Sequence, residues 1–72
     1  MYYVNVLEFK AEMARNNYNI TTLSHKMGVC RETVSRVLNG ENPTYPFMCK
    51  SMEILKLPKE KAADIFFATK LT

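Results

Sequence analysis

The two glycines of the chain restrict its fold more than any other feature, because they lie at the two ends of a short segment that has its own apolar pattern. Glycine adopts positive φ at little cost, so Gly28 and Gly40 are typical of residues that end helices. Three apolar residues between them follow the i, i+3, i+4 spacing of one buried helical stripe: Val34, Val37 and Leu38. We therefore predict a short helix over residues 31–39, preceded by a tight turn at Gly28.

Comparable patterns predict four more helices and no sheet. These helices cover residues 6–16, 20–27, 45–56 and 59–70. Asn5 and Asn19 stand at the N-cap positions of the first two, and Glu8 would complete a capping box with Asn5. Asn17 suits a left-handed turn after the first helix. A chain of 72 residues is one domain, so we expect an all-α fold over residues 1–72, a compact bundle of about five short helices.

The same patterns predict which side chains form the core. In the first helix the expected inward stripe is Leu7, Phe9, Met13 and Ala14. Around the predicted turn, the expected buried residues are Leu23, Met27, Val29, Val34, Val37 and Leu38. In the fourth helix they are Met48, Met52, Ile54 and Leu55.

Composition excludes several classes of function. The net charge of +3 and the pI of about 9.0 permit nucleic-acid binding without requiring it. No apolar run is long enough to span a membrane, and residues 2–7 are too short for a signal peptide, so we expect a cytoplasmic protein. Cys30 and Cys49 are expected to be reduced thiols, and with His25 as the only histidine we predict no metal and no cofactor. We find no carboxylate pair or activated nucleophile, so we do not expect an enzyme.

Residues 20–39 have the spacing of a helix-turn-helix. Two short predicted helices are joined by a three-residue turn, with the small Ser24 in the first helix and Gly28 and Val29 in the turn. In such a motif the second of the two helices enters the DNA major groove, and its N-terminal residues face the base edges.

The stretch "LSHKMGVCRETVSRVLNGENP" resembles the Cro/CI-type (XRE) helix-turn-helix family of phage repressors and bacterial regulators. The resemblance covers about residues 6–57, and its most specific part is "LxxKMGV…TVSRVLNG…P". It implies a compact bundle of about five helices in the cytoplasm of a bacterial host. It further implies binding to double-stranded operator DNA, as a homodimer or together with a phage repressor protein.

By this resemblance, the base-reading positions of the family fall on Arg31, Glu32 and Arg36, with Thr33 and Ser35 beside them. Arginine can grip guanine O6 and N7, and glutamate can accept from cytosine N4. The resemblance places Asn39 near phosphate at the helix end, and Thr21, Thr22 and Lys26 could donate to phosphates from the second helix. Alternative readings remain: both arginines could simply be solvated, and Glu32 could serve only the helix dipole.

The sequence also departs from the family pattern. Met13 and Leu38 stand where the family usually pairs an arginine with a glutamate, as if packing had replaced a buried ion pair. Ile20 stands where the family often has glutamine, and the loop "GENPTY" contains no lysine or arginine. Over residues 20–45, three basic residues oppose two acidic ones and leave only +1. We therefore expect weak DNA affinity for a monomer.

The last predicted helix offers a possible protein interface. Four apolar residues supply more surface than one small core readily covers: Ile65, Phe66, Phe67 and Leu71. The alternative is that all four pack inside the domain.

Two functions follow from these patterns. The first is a sequence-specific regulator of a phage-type genetic switch, which binds operator DNA through its third helix. The second is an antirepressor that mainly binds a repressor protein and alters its DNA occupancy, similar in size to the temperate-phage modulators of repression, the Mor-type antirepressors. Arg31, Arg36 and the intact motif favour the first, whereas Ile20, the loop without a basic residue and the low net charge favour the second.

Overall fold

A computed structural model describes residues 3–68 of the chain, and within that range it is all-helical. The five helices are α1 (Val6–Arg15), α2 (Ile20–Met27), α3 (Arg31–Leu38), α4 (Tyr45–Ile54) and α5 (Lys59–Phe66). They form a compact body of 29 × 22 × 20 Å. The predicted all-α class and five-helix architecture are confirmed. The predicted start of every helix is correct, but α1, α3 and α4 end one or two residues earlier than predicted.

Four of the five helices end with the same left-handed turn. The residues that adopt positive φ are Asn17, Gly28, Gly40 and Lys56, at 61°, 73°, 98° and 55°. After each helix, two amides reach back to the last turn; at α2, for example, Gly28 N–H donates to the His25 carbonyl and Val29 N–H to the Ser24 carbonyl. The left-handed turn predicted at Asn17 is confirmed. These endings keep the connections short and fix the directions of successive helices.

Three phenylalanines join α1, α4 and α5 at the centre of the core. The ring of Phe9 lies 6.2 Å from that of Phe47 and 5.9 Å from that of Phe66, measured between centroids. Phe47 was not among the predicted core residues, and neither was the fully buried Ser51. Among the residues that were predicted for α4, Leu55 is buried, whereas Met48, Met52 and Ile54 are only partly buried.

The inward stripe predicted for α1 is wrong at two positions. Leu7 is 67% exposed and Ala14 is also exposed, whereas Phe9 and Met13 are buried as predicted. Leu7 precedes Phe9 by two residues, which places it about 200° around the helix, on the opposite face. The third buried residue of α1 is a carboxylate, Glu12.

Glu12 belongs to an ion-pair cluster that links α1 to α5. Its carboxylate pairs with Arg15, and Lys61 Nζ of α5 lies 2.5 Å from the Glu8 carboxylate and 3.7 Å from that of Glu12. The hydrogen bond from Lys61 holds the pKa of Glu8 below its usual value. This cluster explains how a helix can bury an acidic residue where sequence patterning places apolar ones.

The first residues of the chain pair with the end of α5. Tyr3 and Ala68 form an isolated antiparallel bridge, with N–O distances of 2.7 and 3.0 Å. The Asn5 amide donates to the Ile65 carbonyl at 2.6 Å. Asn5 therefore caps α1 through its side chain only, which accepts from the Glu8 amide. The predicted capping box is incomplete, because the Glu8 carboxylate pairs with Lys61 instead.

The predicted C-terminal interface is wrong for two of its four residues. Ile65 and Phe66 are buried in the core, because α5 turns this side towards α1. Phe67 is 48% exposed. The fourth residue, Leu71, lies outside the described residues, as does the predicted end of α5 at residue 70.

Candidate nucleic-acid interface

The α2 and α3 helices form the predicted helix, turn and helix. Asn19 and Thr22 build a complete capping box at the start of α2, and Gly28 ends the helix with φ at 73°. Ser24 is buried, and its hydroxyl donates to the Thr21 carbonyl at 2.9 Å. A small residue with a satisfied hydroxyl lets α2 lie close to α3 and α4, which are its main contacts.

The buried side of α3 fixes which of its residues face outward. Val34 and Val37 are buried as predicted, whereas Leu38 and Val29 are only partly buried against the core. Met13 is buried in the same core, and α1 contacts α3. Packing therefore occupies the positions where the resemblance would place an ion pair.

The outward side of α3 presents an ion pair. Glu32 Oε1 lies 2.8 Å from an Arg36 guanidinium nitrogen, and the two side chains are 72% and 59% exposed. An exposed pair at this spacing contributes only about 0.3–0.5 kcal/mol to stability, so a ligand can separate it at little cost. Arg31 and Asn39 are exposed at the two ends of the helix, and Thr33 and Ser35 are half-buried at its sides.

One flank of α3 is formed by α2, with a groove of about 450 Å³ between them. We call it the α2-side groove; its lining includes Tyr18, Thr21, His25, Lys26, Val29 and Arg31. Of the predicted phosphate donors here, Thr21 and Lys26 are exposed. The Thr22 hydroxyl is already committed to the helix cap, where it accepts from the Asn19 amide at 2.8 Å and donates back to Asn19. Thr21 and Lys26 are therefore the better donors.

The other flank is formed by the connection from α3 to α4. A smaller groove of about 130 Å³ lies there, which we call the loop-side groove; its lining includes Thr33, Arg36, Glu41, Asn42, Pro43 and Thr44. Arg36 and Glu41 balance in charge. Asn42 and Pro43 also border an apolar depression of about 190 Å³ with Met48, Phe66 and Phe67.

One supporting residue escaped sequence analysis, and another was recognised only as a weak cap. Lys50 Nζ of α4 donates to the Met27 carbonyl at 3.4 Å and so places a cation at the C-terminal end of α2. Cys30 occupies the N-cap of α3 without a side-chain hydrogen bond. Only the weakness of cysteine as a cap was readable beforehand; the Lys50 contact joins residues far apart in sequence.

Other kinds of site were sought in the same residues. Among residues 3–68, no group of three or more histidines, cysteines or acidic residues is placed to hold a metal ion. Cys30 and Cys49 are both exposed thiols. Within residues 3–68, none of the helices has the length and hydropathy that a membrane span requires. Comparison with protein-family models, with curated proteins and with solved structures gives no match to this chain.

Proposed function

We propose that this protein is a small helix-turn-helix transcriptional regulator of a phage-type genetic switch, which binds operator DNA through α3. The observation that carries the proposal is the outward side of α3. Arg31, Glu32 and Arg36 are exposed on a helix whose opposite side is buried and whose start is set by the Gly28 turn. This is the arrangement by which a recognition helix presents side chains to the major groove.

The proposed base contacts follow from side-chain chemistry. Arg31 and Arg36 each carry a guanidinium that fits guanine O6 and N7, and the Glu32 carboxylate accepts from cytosine N4. The pair between Glu32 and Arg36 brings the two side chains next to each other on the outward side of α3. Since each exposed group is cheap to release from its neighbour, little of the binding energy is lost in opening the pair.

The proposed phosphate contacts come mainly from α2. Thr21 and Lys26 are exposed beside the start of α3, where side chains that fix the register on a duplex are needed. The loop after α3 adds Glu41 and no basic residue. A single copy therefore neutralises few phosphates, and we propose that it binds as a dimer or with a partner repressor.

The apolar depression beside the loop is the proposed contact between copies. Pro43, Met48 and Phe67 line it, and none of the described residues that line it carries a charge. A two-fold interface brings identical surfaces together, so an uncharged patch avoids repulsion between like charges. Of the four C-terminal apolar residues that sequence patterning predicted as an interface, this proposal uses Phe67.

A second candidate function is favoured by the weak charge of the loop. An antirepressor that grips a repressor through the outward side of α3 needs no phosphate contacts. Arginine in a desolvated protein contact is a frequent hot spot, so the same exposed residues would serve it.

Selection of binding sites from a random duplex library tests the proposal. We expect an enriched sequence rich in G·C pairs, bound more tightly than random duplex of equal length at a stated salt concentration. Measuring the same duplexes with Arg31→Ala, and with Lys59→Ala on α5 as a control, assigns the effect to α3. No enrichment, together with binding of a cognate repressor, would favour the second candidate.

A further inference from the structure

The α2-side groove combines two surface types. Tyr18 and Val29 are half-buried and add apolar surface, whereas His25, Lys26 and Arg31 are exposed beside them. Among the described residues that line the groove, none carries a carboxylate. Phosphates require the cations and hydroxyls, but they do not require an apolar surface between them. The groove therefore contains apolar surface that DNA binding does not require.

We propose that the α2-side groove is a docking site for an acidic segment of a partner protein, anchored by one large apolar side chain. The anchor packs against Tyr18 and Val29, and carboxylates on both sides of it face Lys26 and Arg31. Charge complementarity selects this partner, because the lining combines basic groups with apolar surface. It also speeds the encounter and rejects basic segments.

The shape of the groove favours a protein segment over a small molecule. A volume of about 450 Å³ is within the range of small-molecule sites. Such sites enclose most of the ligand surface, however, whereas this groove is open to solvent along the side of α2. An open groove can take up one side chain of an extended chain and leave the remainder of the segment outside.

Docking here has a consequence for DNA binding that rests on the proposed function. Thr21, Lys26 and Arg31 line the groove and are also proposed to contact DNA. A segment seated on them covers the groups that a duplex would use. The partner and the duplex therefore exclude one another, and the acidic segment acts as an inhibitor of operator binding.

Binding of a synthetic peptide, without DNA, tests the docking itself. The probe is a fluorescein-labelled heptapeptide, Gly-Glu-Glu-Phe-Glu-Glu-Gly, titrated by anisotropy and by amide chemical shifts of the labelled protein. We expect shifts confined to the amides of the residues that line the groove, among them Tyr18, Lys26, Val29 and Arg31. Replacing the phenylalanine of the probe by alanine, or its glutamates by glutamines, should weaken binding at least about fivefold.

Substitutions in the protein show whether the peptide occupies this groove. We expect Lys26→Glu to weaken peptide binding at least about tenfold, and Val29→Ser to weaken it about threefold through lost apolar contact. Lys59→Glu, the same charge change at an exposed position on α5, is the matched control and should have little effect. If Val29→Ser fails to fold by circular dichroism, His25→Glu replaces it. Equal loss with Lys59→Glu, or shifts elsewhere on the protein, would overturn the proposal.

Addition of the selected duplex then separates the two claims. Displacement of the bound peptide by duplex supports both docking and exclusion. Peptide binding in a protein that binds no duplex keeps the docking site and refutes the proposed function. Duplex binding without any peptide binding refutes the docking site and leaves the proposed function intact.

Discussion

The two flanks of α3 differ in charge although they border the same helix. The α2-side groove is lined by Lys26, Arg31 and His25, whereas the loop-side groove is lined by one basic and one acidic residue, Arg36 and Glu41. A recognition helix that lies in a major groove has phosphates on both sides of it. The charge of one flank of this helix is therefore suited to phosphates, whereas that of the other is suited to an uncharged neighbour.

The same difference separates the roles proposed for the two flanks. The basic flank is proposed to contact DNA, and the acidic partner is proposed to compete with DNA for the same residues. The neutral flank leads, through Asn42 and Pro43, to the apolar depression with Phe67. A DNA-binding domain of this size needs one surface for DNA and another for a second copy or a partner. A small domain contacts few base pairs, so association is required to gain specificity.

The largest expected effect comes from disrupting the core packing of α3, the helix that both flanks border. Val34 is a fully buried residue of α3, so Val34→Asp places an unpaired charge in the core. We expect a loss of several kcal/mol, which is about the whole stability of a small domain. A thermal melt followed by circular dichroism measures it. Asn39→Asp, which adds the same charge at an exposed position of the same segment, should leave the melt nearly unchanged.

Moving positive charge from one flank to the other tests the comparison directly. Lys26→Ala should make the slope of log K against log salt shallower by about 0.9, because one phosphate contact is lost. Asn42→Lys should make it steeper by about 0.9 and raise affinity roughly tenfold near 0.1 M salt. Salt titrations of the selected duplex measure both slopes. An unchanged slope for Asn42→Lys would mean that the loop does not approach the phosphates.

Cys30 is a weak N-cap at the turn between α2 and α3, and a better cap there should stabilise the domain. Cys30→Ser should stabilise the domain by about 0.5–1 kcal/mol, because a serine hydroxyl can accept from a backbone amide in the first turn of α3, which the cysteine side chain does not. Chemical denaturation measures the change. Cys49→Ser, at an exposed position within α4, is the control and should show no such gain. A loss of stability at residue 30 would show that the thiol packs against neighbouring residues.

The smallest expected effect lies on the outward side of α3 itself. Glu32→Gln removes the pair with Arg36 and should cost about 0.3–0.5 kcal/mol of stability. The released guanidinium should bind random duplex more tightly and the selected duplex less selectively. Denaturation and anisotropy check the two effects, with Glu60→Gln on α5 as a control. Unchanged selectivity would leave Glu32 with a helix-dipole role only.

Much of the fold was readable from local signals, because caps and left-handed turns act within a few residues. Gly28, Gly40 and Asn17 adopt positive φ after the helices that they were expected to follow, and the apolar spacing of α3 identified Val34 and Val37. Long-range features were not readable. Glu12 is buried because Lys61 of another helix reaches it, and Leu7 is exposed because Phe9 and Glu12 take the inward face.

The candidate site was also predictable only in its local features. The exposure of Arg31, Glu32 and Arg36 follows from the stripe on the opposite side of α3, so spacing alone predicted it. The two grooves and the burial of Ile65 and Phe66 depend on how distant helices pack. Lys56 in a left-handed turn carried no sequence signal, since lysine seldom adopts that conformation.

The most direct test of the central claim, that the outward side of α3 reads bases, is one affinity ratio. Wild-type protein and Arg36→Ala are titrated at the same salt concentration with the selected duplex and with random duplex of equal length. We predict that Arg36→Ala costs about 1–3 kcal/mol on the selected duplex and much less on random duplex, so that the ratio falls. An equal loss on both duplexes, or no loss on either, would contradict the account, because Arg36 would then contact phosphate or solvent and not a base.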